Sequence, residues 1–170
     1  MPKPTKKLKL PHPELTELIA ALKANVTRVD SCEVDRTEVR YFICDPWPEW
    51  ADLAMYDEDG NIYLPESFVN AEPEFAYLVV LHEHVEIAHK LAGRSHAYAH
   101  RRAYLAELLS AKETFTGPGE LRQFLKRRIG GYPDWKVPNK AEVEERLYEL
   151  LQAPRPLRGR LIEVMRKARL

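Results

Sequence analysis

Five of the six histidines of the chain fall between residues 82 and 100, a concentration too dense for random scatter. The segment His82-Glu83-His84-Val85-Glu86 gives this region its most informative spacing. Helical residues four apart project from one face about 6 Å from each other, so His82 and Glu86 are neighbours and Glu83 lies on the adjoining edge. Two ligands beside a carboxylate are what a hydrolytic zinc site needs. The segment therefore predicts one bound ion, zinc or another divalent transition metal.

A second helical stretch supplies a third ligand. Only Gly93-Arg94-Ser95 separates it from the first, so we expect the two helices to form an antiparallel hairpin. Folding the chain back about this turn brings His100 to the level of Glu86. His82, Glu86 and His100 then form a set of two imidazoles and one carboxylate. Catalytic zinc sites use such a set and keep a fourth position open for water.

Other side chains near this trio are candidates for outer roles. Glu107 shares a helix face with His96 and His100, and it is the second choice as a ligand or as a partner that orients an imidazole. His89 is a further candidate for such a partner. His96 stands at the start of its helix, where we favour capping or solvent exposure over metal binding.

Three other interpretations compete with a zinc site. The apolar lead-in Phe75 to Leu81 predicts a buried helix, and buried histidine and glutamate need polar partners, which a hydrogen-bonded cluster without metal also provides. Glu86-Ile87-Ala88-His89 matches the E-x-x-H element of di-iron bundles, but those need a second such element, which the chain lacks. A mononuclear iron site fits the ligand count, although its ligands usually lie on a β-barrel.

The rest of the chain predicts the elements that position these residues. Apolar residues at helical spacing predict a helix over residues 13–25, and β-branched and aromatic runs predict strands. Asp57-Glu58-Asp59-Gly60 is typical of a hairpin turn. The predicted strands cover residues 28–34, 38–44, 53–56 and 61–64, and the later helices cover 73–93, 95–112, 119–129, 139–152 and 156–168. Breaks in the pattern predict a flexible basic N-terminus (1–12), a metal-binding domain (13–116) and a helical C-terminal extension (117–170).

The net charge of zero conceals an uneven distribution. Residues 30–86 contain 15 acidic and two basic residues, whereas residues 120–170 contain 13 basic and seven acidic ones. We favour packing of acidic against basic parts over contact of the basic region with nucleic acid. The basic N-terminus is not followed by an apolar signal region, and no apolar run is long enough to span a bilayer. We therefore expect a cytoplasmic protein that does not enter a membrane.

Composition supports two further expectations, one for the cysteines and one for the source of the protein. Cys32 and Cys44 lack metal-ligand spacing and are expected to lie in strands as small apolar residues, with a single cross-strand disulfide as the alternative. Glutamine and asparagine are scarce, while Glu, Lys, Arg and Pro are plentiful, which indicates a heat-adapted, thermophilic source.

On the segment around His82 and Glu83, the sequence resembles the zincin metallopeptidases, especially the compact ones. Their motif is H-E-x-x-H on a buried helix; the first histidine and the general-base glutamate match here, and Glu86 replaces the second histidine. Residues 60–65 precede the helix where zincins have a substrate-binding edge strand. His100 or Glu107 corresponds to the ligand that zincins take from a downstream helix. The resemblance covers roughly residues 13–112.

This resemblance implies an α+β fold. It consists of a small zincin-like domain with an N-terminal helix, a short mixed or antiparallel sheet and a buried metal-binding helix. A second helix completes an antiparallel hairpin, and C-terminal helices follow.

The resemblance also implies a zinc-dependent hydrolase, most readily a small metallopeptidase in which Glu83 takes a proton from a metal-activated water. Tyr104 and Arg101 are candidates for stabilising the transition state. We expect a peptide substrate in extended form to pair with the residues of the predicted edge strand, Asn61, Ile62, Tyr63 and Leu64. The alternative is a non-catalytic zincin-like module that has a structural metal and a basic C-terminal region for a protein or nucleic-acid partner.

Overall fold

The computed structural model describes residues 6–10, 13–49, 51–155 and 157–170. Over these residues the protein is α+β, with seven helices and one four-stranded sheet. None of the described helices is both long and apolar enough to cross a membrane. The predicted flexible N-terminus, residues 1–12, falls in part on residues 1–5 and 11–12, which lie outside the described residues. The predicted domain limits at residues 116 and 117 stay predictions.

The order of elements follows the sequence prediction closely. The elements are α1 (Leu15–Ala24), β1 (Val26–Val34), β2 (Thr37–Cys44), β3 (Met55–Tyr56), β4 (Ile62–Pro65), α2 (Glu66–Ala71), α3 (Pro73–Leu91), α4 (His96–Thr114), α5 (Pro118–Gly130), α6 (Lys140–Gln152) and α7 (Arg158–Lys167). Of these, only the short helix α2 was not predicted. Contacts divide the chain into two compact units, Met1–Ala99 and His100–Leu170.

The sheet of the first unit is mixed, with strand order β1-β2-β4-β3. β1 and β2 pair antiparallel, as do β3 and β4, whereas β2 and β4 run parallel. Asp35 and Arg36 join β1 to β2 with φ values of 48° and 63°. Two consecutive left-handed residues form the tight turn whose twist suits a two-residue hairpin.

Strand β4 lies inside the sheet and not at its edge. Ile62 and Tyr63 pair with β2 on one side and with β3 on the other, and all four β4 residues are buried. The prediction that residues 61–64 form an edge strand is therefore wrong, because Ile62 and Tyr63 are paired with a strand on each side. The continuous apolar character of this segment is typical of a strand covered on both faces.

Helices α1 and α3 contact the sheet on opposite faces. Met55 and Tyr63 pack with Leu18 and Leu22 of α1 in one core cluster. Because side chains alternate along a strand, Tyr56 points to the other face. Helix α3 contacts β2 and β4 and covers that face. The sheet thus directs the Tyr56 side chain toward the helix that carries the histidine–glutamate segment.

The second unit is helical. α5 contacts α6, and α6 contacts α7. Each of these helices buries one apolar stripe, formed by Leu121, Phe124, Leu125 and Ile129 in α5, by Leu147, Leu150 and Leu151 in α6, and by Leu161 and Met165 in α7. The basic residues of α7 are exposed. This is the pattern of a solvated amphipathic helix.

Both cysteines are free and lie on strands, as the sequence predicted. The buried Sγ of Cys44 lies 3.4 Å from the carbonyl oxygen of Leu22. Burial raises the pKa of Cys44 to about 11. Its thiol therefore stays protonated at neutral pH and acts as a small packing group.

Candidate metal centre

Helix α3 buries the residues that the sequence singled out. Pro73 stands in its first turn, where the missing N–H has no helical partner to lose. The apolar lead-in that follows is mostly buried, and so are His82 and Glu86. The prediction of a buried helix that carries an imidazole and a carboxylate is confirmed.

The turn after α3 has the caps that the sequence predicted. Gly93 adopts φ 83°, and its N–H donates to the carbonyl of Lys90 at 2.9 Å. The N–H of Arg94 donates to the carbonyl of His89 at 3.0 Å. These two bonds form a Schellman motif, which satisfies carbonyls at the helix end. The N–H of Tyr98 donates to Oγ of Ser95 at 3.2 Å, so Ser95 caps the start of α4.

The first turn of α4 folds back on α3. Nδ1 of His96 lies 3.4 Å from Oε1 of Glu86. The rings of His89 and Tyr98 meet edge to face, with centroids 5.5 Å apart. His96 was expected to cap its helix or face solvent; its side chain is indeed 62% exposed, but it also contacts a predicted ligand.

His82, Glu86 and His100 come together as one group. One ligand atom from each lies within 4.8 Å of the other two. His82 is 1% and Glu86 is 4% exposed, while His100 is half-buried. His100 follows His96 by one helical turn on α4, so the same helix face carries both. The protein therefore contains a buried His–Glu–His cluster that could bind a metal ion.

One distance in this cluster is compatible with two side chains that share a metal ion. Nε2 of His82 and Oε2 of Glu86 are 3.5 Å apart. Two ligands of a tetrahedral zinc ion, each about 2.1 Å from the metal, are separated by about 3.4 Å. Two imidazole nitrogens and one carboxylate oxygen suit zinc and related ions better than calcium or magnesium, which prefer oxygen ligands.

No family model, curated protein or solved structure matches this chain. The fold class and the buried cluster are therefore known from the structure itself. A zincin fold, the identity of the metal and the reaction are proposals that depend on the motif and on the chemistry of the cluster.

Glu86 has an additional partner that the sequence did not suggest. The hydroxyl of Tyr56 donates to Oε1 of Glu86 at 2.9 Å, and Nζ of Lys90 donates to the Tyr56 hydroxyl at 2.7 Å. Burial raises the pKa of Tyr56 above its usual range, and the nearby carboxylates of Glu86 and Glu83 raise it further. The phenol therefore stays protonated as a donor. Lys90 follows Glu86 by four residues, a spacing visible in the sequence, but the strand position of Tyr56 gave no signal.

Glu83, the predicted general base, is half-buried beside His82 on α3. Its negative charge is one of the causes that raise the pKa of Tyr56. Glu83 follows the cluster residue His82 directly in the chain and is still in partial contact with solvent. Its assignment as a base remains a prediction.

Glu107, the alternative ligand, is fully buried and forms a two-pronged ion pair. Nε of Arg128 donates to Oε1 at 2.6 Å, and Nη2 donates to Oε2 at 3.3 Å. Among the described residues, the cluster with metal-binding geometry includes His100 and not Glu107. Burial alone would lower the pKa of Arg128, but the Glu107 carboxylate raises it above its usual range.

The two candidates for transition-state stabilisation differ in their surroundings. Tyr104 is fully buried, its hydroxyl is hydrogen-bonded to that of Tyr132, and its ring meets His100 edge to face at 5.2 Å. Burial raises the pKa of Tyr104 well above its usual range. Arg101 is half-buried on α4. The catalytic role of either residue remains a prediction.

Proposed function

We propose that this protein is a metal-dependent hydrolase, with one zinc ion held by His82, Glu86 and His100. The observation that supports it most is the clustering of these three ligand atoms within 4.8 Å, with His82 and Glu86 buried. Burying an imidazole beside a carboxylate is costly unless polar partners compensate. A bound cation would be a partner that all three side chains share, in addition to the contacts that Glu86 makes with Tyr56 and His96.

The described part of the chain brings three ligands together, and this number favours a catalytic over a structural site. Structural zinc is closed by four protein ligands, whereas catalytic zinc has three and an open position. When bound, such an ion lowers the pKa of a water molecule toward neutrality and polarises a carbonyl oxygen. Glu83, which follows His82 in the chain, serves as the base that accepts the proton of the attacking water and passes it to the leaving group.

The favoured substrate is a peptide or protein bond, because His82-Glu83 matches the start of the metallopeptidase motif. The internal position of β4 gives no support to pairing of substrate with this strand, because Ile62 and Tyr63 are already paired on both sides. The proposal for a peptide substrate therefore stands on the motif alone. A substrate screen is needed to test whether the substrate is a peptide.

The decisive experiment compares wild type with Glu83→Gln on a library of internally quenched peptides, with zinc added. We expect the variant to keep one zinc per chain and its melting temperature, and to lose turnover by about 10²- to 10⁴-fold. Glu74→Gln, at an exposed position on the same helix, is the matched control and should keep wild-type turnover. Equal turnover in wild type and Glu83→Gln would contradict the proposal. Metal binding without any turnover would instead favour the structural module with a basic partner surface.

A further inference from the structure

The two carboxylate oxygens of Glu86 have different surroundings. Oε1 accepts the 2.9 Å hydrogen bond from the Tyr56 hydroxyl and lies 3.4 Å from Nδ1 of His96. Oε2 lies 3.5 Å from Nε2 of His82, its neighbour in the candidate metal centre. Oε1 therefore has a hydrogen bond from Tyr56 and a contact with His96, whereas Oε2 lies beside a proposed metal-ligand atom of His82.

The direction of the hydrogen bonds through Tyr56 is fixed by chemistry. The ammonium group of Lys90 can only donate, so the Tyr56 oxygen accepts its bond of 2.7 Å. The single phenolic proton is then available for the carboxylate of Glu86. A bond from a neutral donor to a buried carboxylate is charge-assisted, and such bonds are roughly twice as strong as bonds between neutral groups. Because Glu86 is 4% exposed, little water competes for the same oxygen.

We infer that Tyr56, supported by Lys90, is a positioning residue that holds Oε1 of Glu86 so that Oε2 alone binds the ion. This inference rests on the proposed metal centre. Glu86 has freedom about its terminal bonds and can offer an ion one oxygen or both. The Tyr56 bond selects the one-oxygen mode, which preserves a coordination position that a second oxygen would occupy.

Zinc affinity of the purified chain tests this role without any substrate. Metal-free protein is titrated with Zn²⁺ in competition with a chromogenic chelator. We expect Tyr56→Phe to weaken zinc binding by about 10- to 100-fold, the usual effect of removing a partner that orients a ligand. Tyr41→Phe is the matched control, because Tyr41 lies on β2 outside this hydrogen-bond chain, and it should bind zinc as wild type does.

Variants at Lys90 provide a second test that does not alter the sheet. Lys90→Met should weaken zinc binding by a smaller factor than Tyr56→Phe, and Lys90→Arg, which keeps a charged donor, should restore most of the affinity. X-ray absorption of the zinc-loaded wild type should show a single carboxylate oxygen close to the metal. The melting temperature of each metal-free variant shows whether a loss of affinity reflects unfolding.

The outcomes separate this inference from the proposed function. Wild-type zinc affinity in both Tyr56→Phe and Lys90→Met overturns the positioning role and leaves the metal centre intact. Two close carboxylate oxygens in the wild-type spectrum overturn it as well. A wild-type chain that binds no zinc overturns the metal centre and the hydrolase together. Turnover of Glu83→Gln is measured separately and tests only the proposal that the protein is a hydrolase. If Tyr56→Phe fails to fold, the Lys90 pair decides.

Discussion

Nδ1 of His96 lies 3.4 Å from Oε1 of Glu86, although a helix end and a reversal of the chain separate the two residues. The reversal depends on Gly93, whose φ of 83° is strained for any residue with a Cβ atom. The backbone conformation at Gly93 therefore allows His96 to contact Glu86, a candidate metal ligand.

Replacing this glycine should destabilise the protein. We expect Gly93→Ala to lower the free energy of unfolding by about 1 kcal/mol, because alanine is disfavoured in the left-handed conformation. Gly119→Ala is the matched control on α5: its Cβ would meet nothing within 4 Å, and helical alanine is favoured over glycine by up to about 1 kcal/mol. Urea denaturation measures both. Changes of the same sign in the two variants would contradict the role of Gly93.

The proposed metal ligands predict how much metal each variant should bind per chain. Elemental analysis should find one ion per chain in the wild type and a large loss in His82→Ala and in His100→Ala. Glu107→Gln should retain the ion, because Glu107 lies outside the cluster and pairs with Arg128. His84→Ala, a half-buried position on the same helix, controls for general damage. Retention of a full equivalent of metal in both histidine variants would refute the ligand assignment.

The buried pair of Arg128 and Glu107 should matter more to stability than the exposed pair of Arg122 and Glu145. We expect Arg128→Met to lower the free energy of unfolding by roughly 3–5 kcal/mol, because it leaves a carboxylate that is fully buried without its cation. Arg122→Met should lower the free energy of unfolding much less, since exposed pairs are screened by water. Chemical denaturation of the two variants under identical conditions measures this difference, and equal losses would contradict it.

The buried carboxylate of Asp57 should give stability that depends on pH. Burial alone would raise the pKa of Asp57, but hydrogen bonds from Asn61, Tyr63 and Lys23 lower it below the usual value. A lowered folded-state pKa means that the contribution is present at neutral pH and lost as pH falls from about 4 through the folded-state value.

Asp57→Asn should therefore lower the free energy of unfolding by about 1.5–3 kcal/mol at pH 7, the range for hydrogen bonds to charged groups. The difference from wild type should shrink as the pH falls below 4. Asp59→Asn, at an exposed position in the same turn, should leave the acid dependence unchanged. Urea denaturation at a series of pH values measures the effect, and a difference that is constant with pH would argue against it.

The features that depend on local interactions could be predicted from the amino-acid sequence. Helical spacing around Leu18 and Leu22 predicted α1, and Gly93 and Ser95 predicted the end of α3 and the start of α4. The four-residue spacing of His82 and Glu86 placed both on one buried face. The number of residues on each side of the turn predicted that His100 lies level with Glu86, and the structure places both in one cluster. These features are set by helix periodicity and capping, which act over a few neighbouring residues.

The contacts between residues that are distant in the chain could not be predicted and were found in the folded structure. Strand order placed β4 inside the sheet, although its position before α3 suggested an edge. The same order directed Tyr56 to Glu86, and the packing of α5 gave Glu107 its partner Arg128. Pairing of strands and packing of faces join residues that are far apart in the chain, and several arrangements share one local pattern. Which of these arrangements forms depends on the total burial and hydrogen bonding of the whole fold. A short segment of sequence does not carry that information.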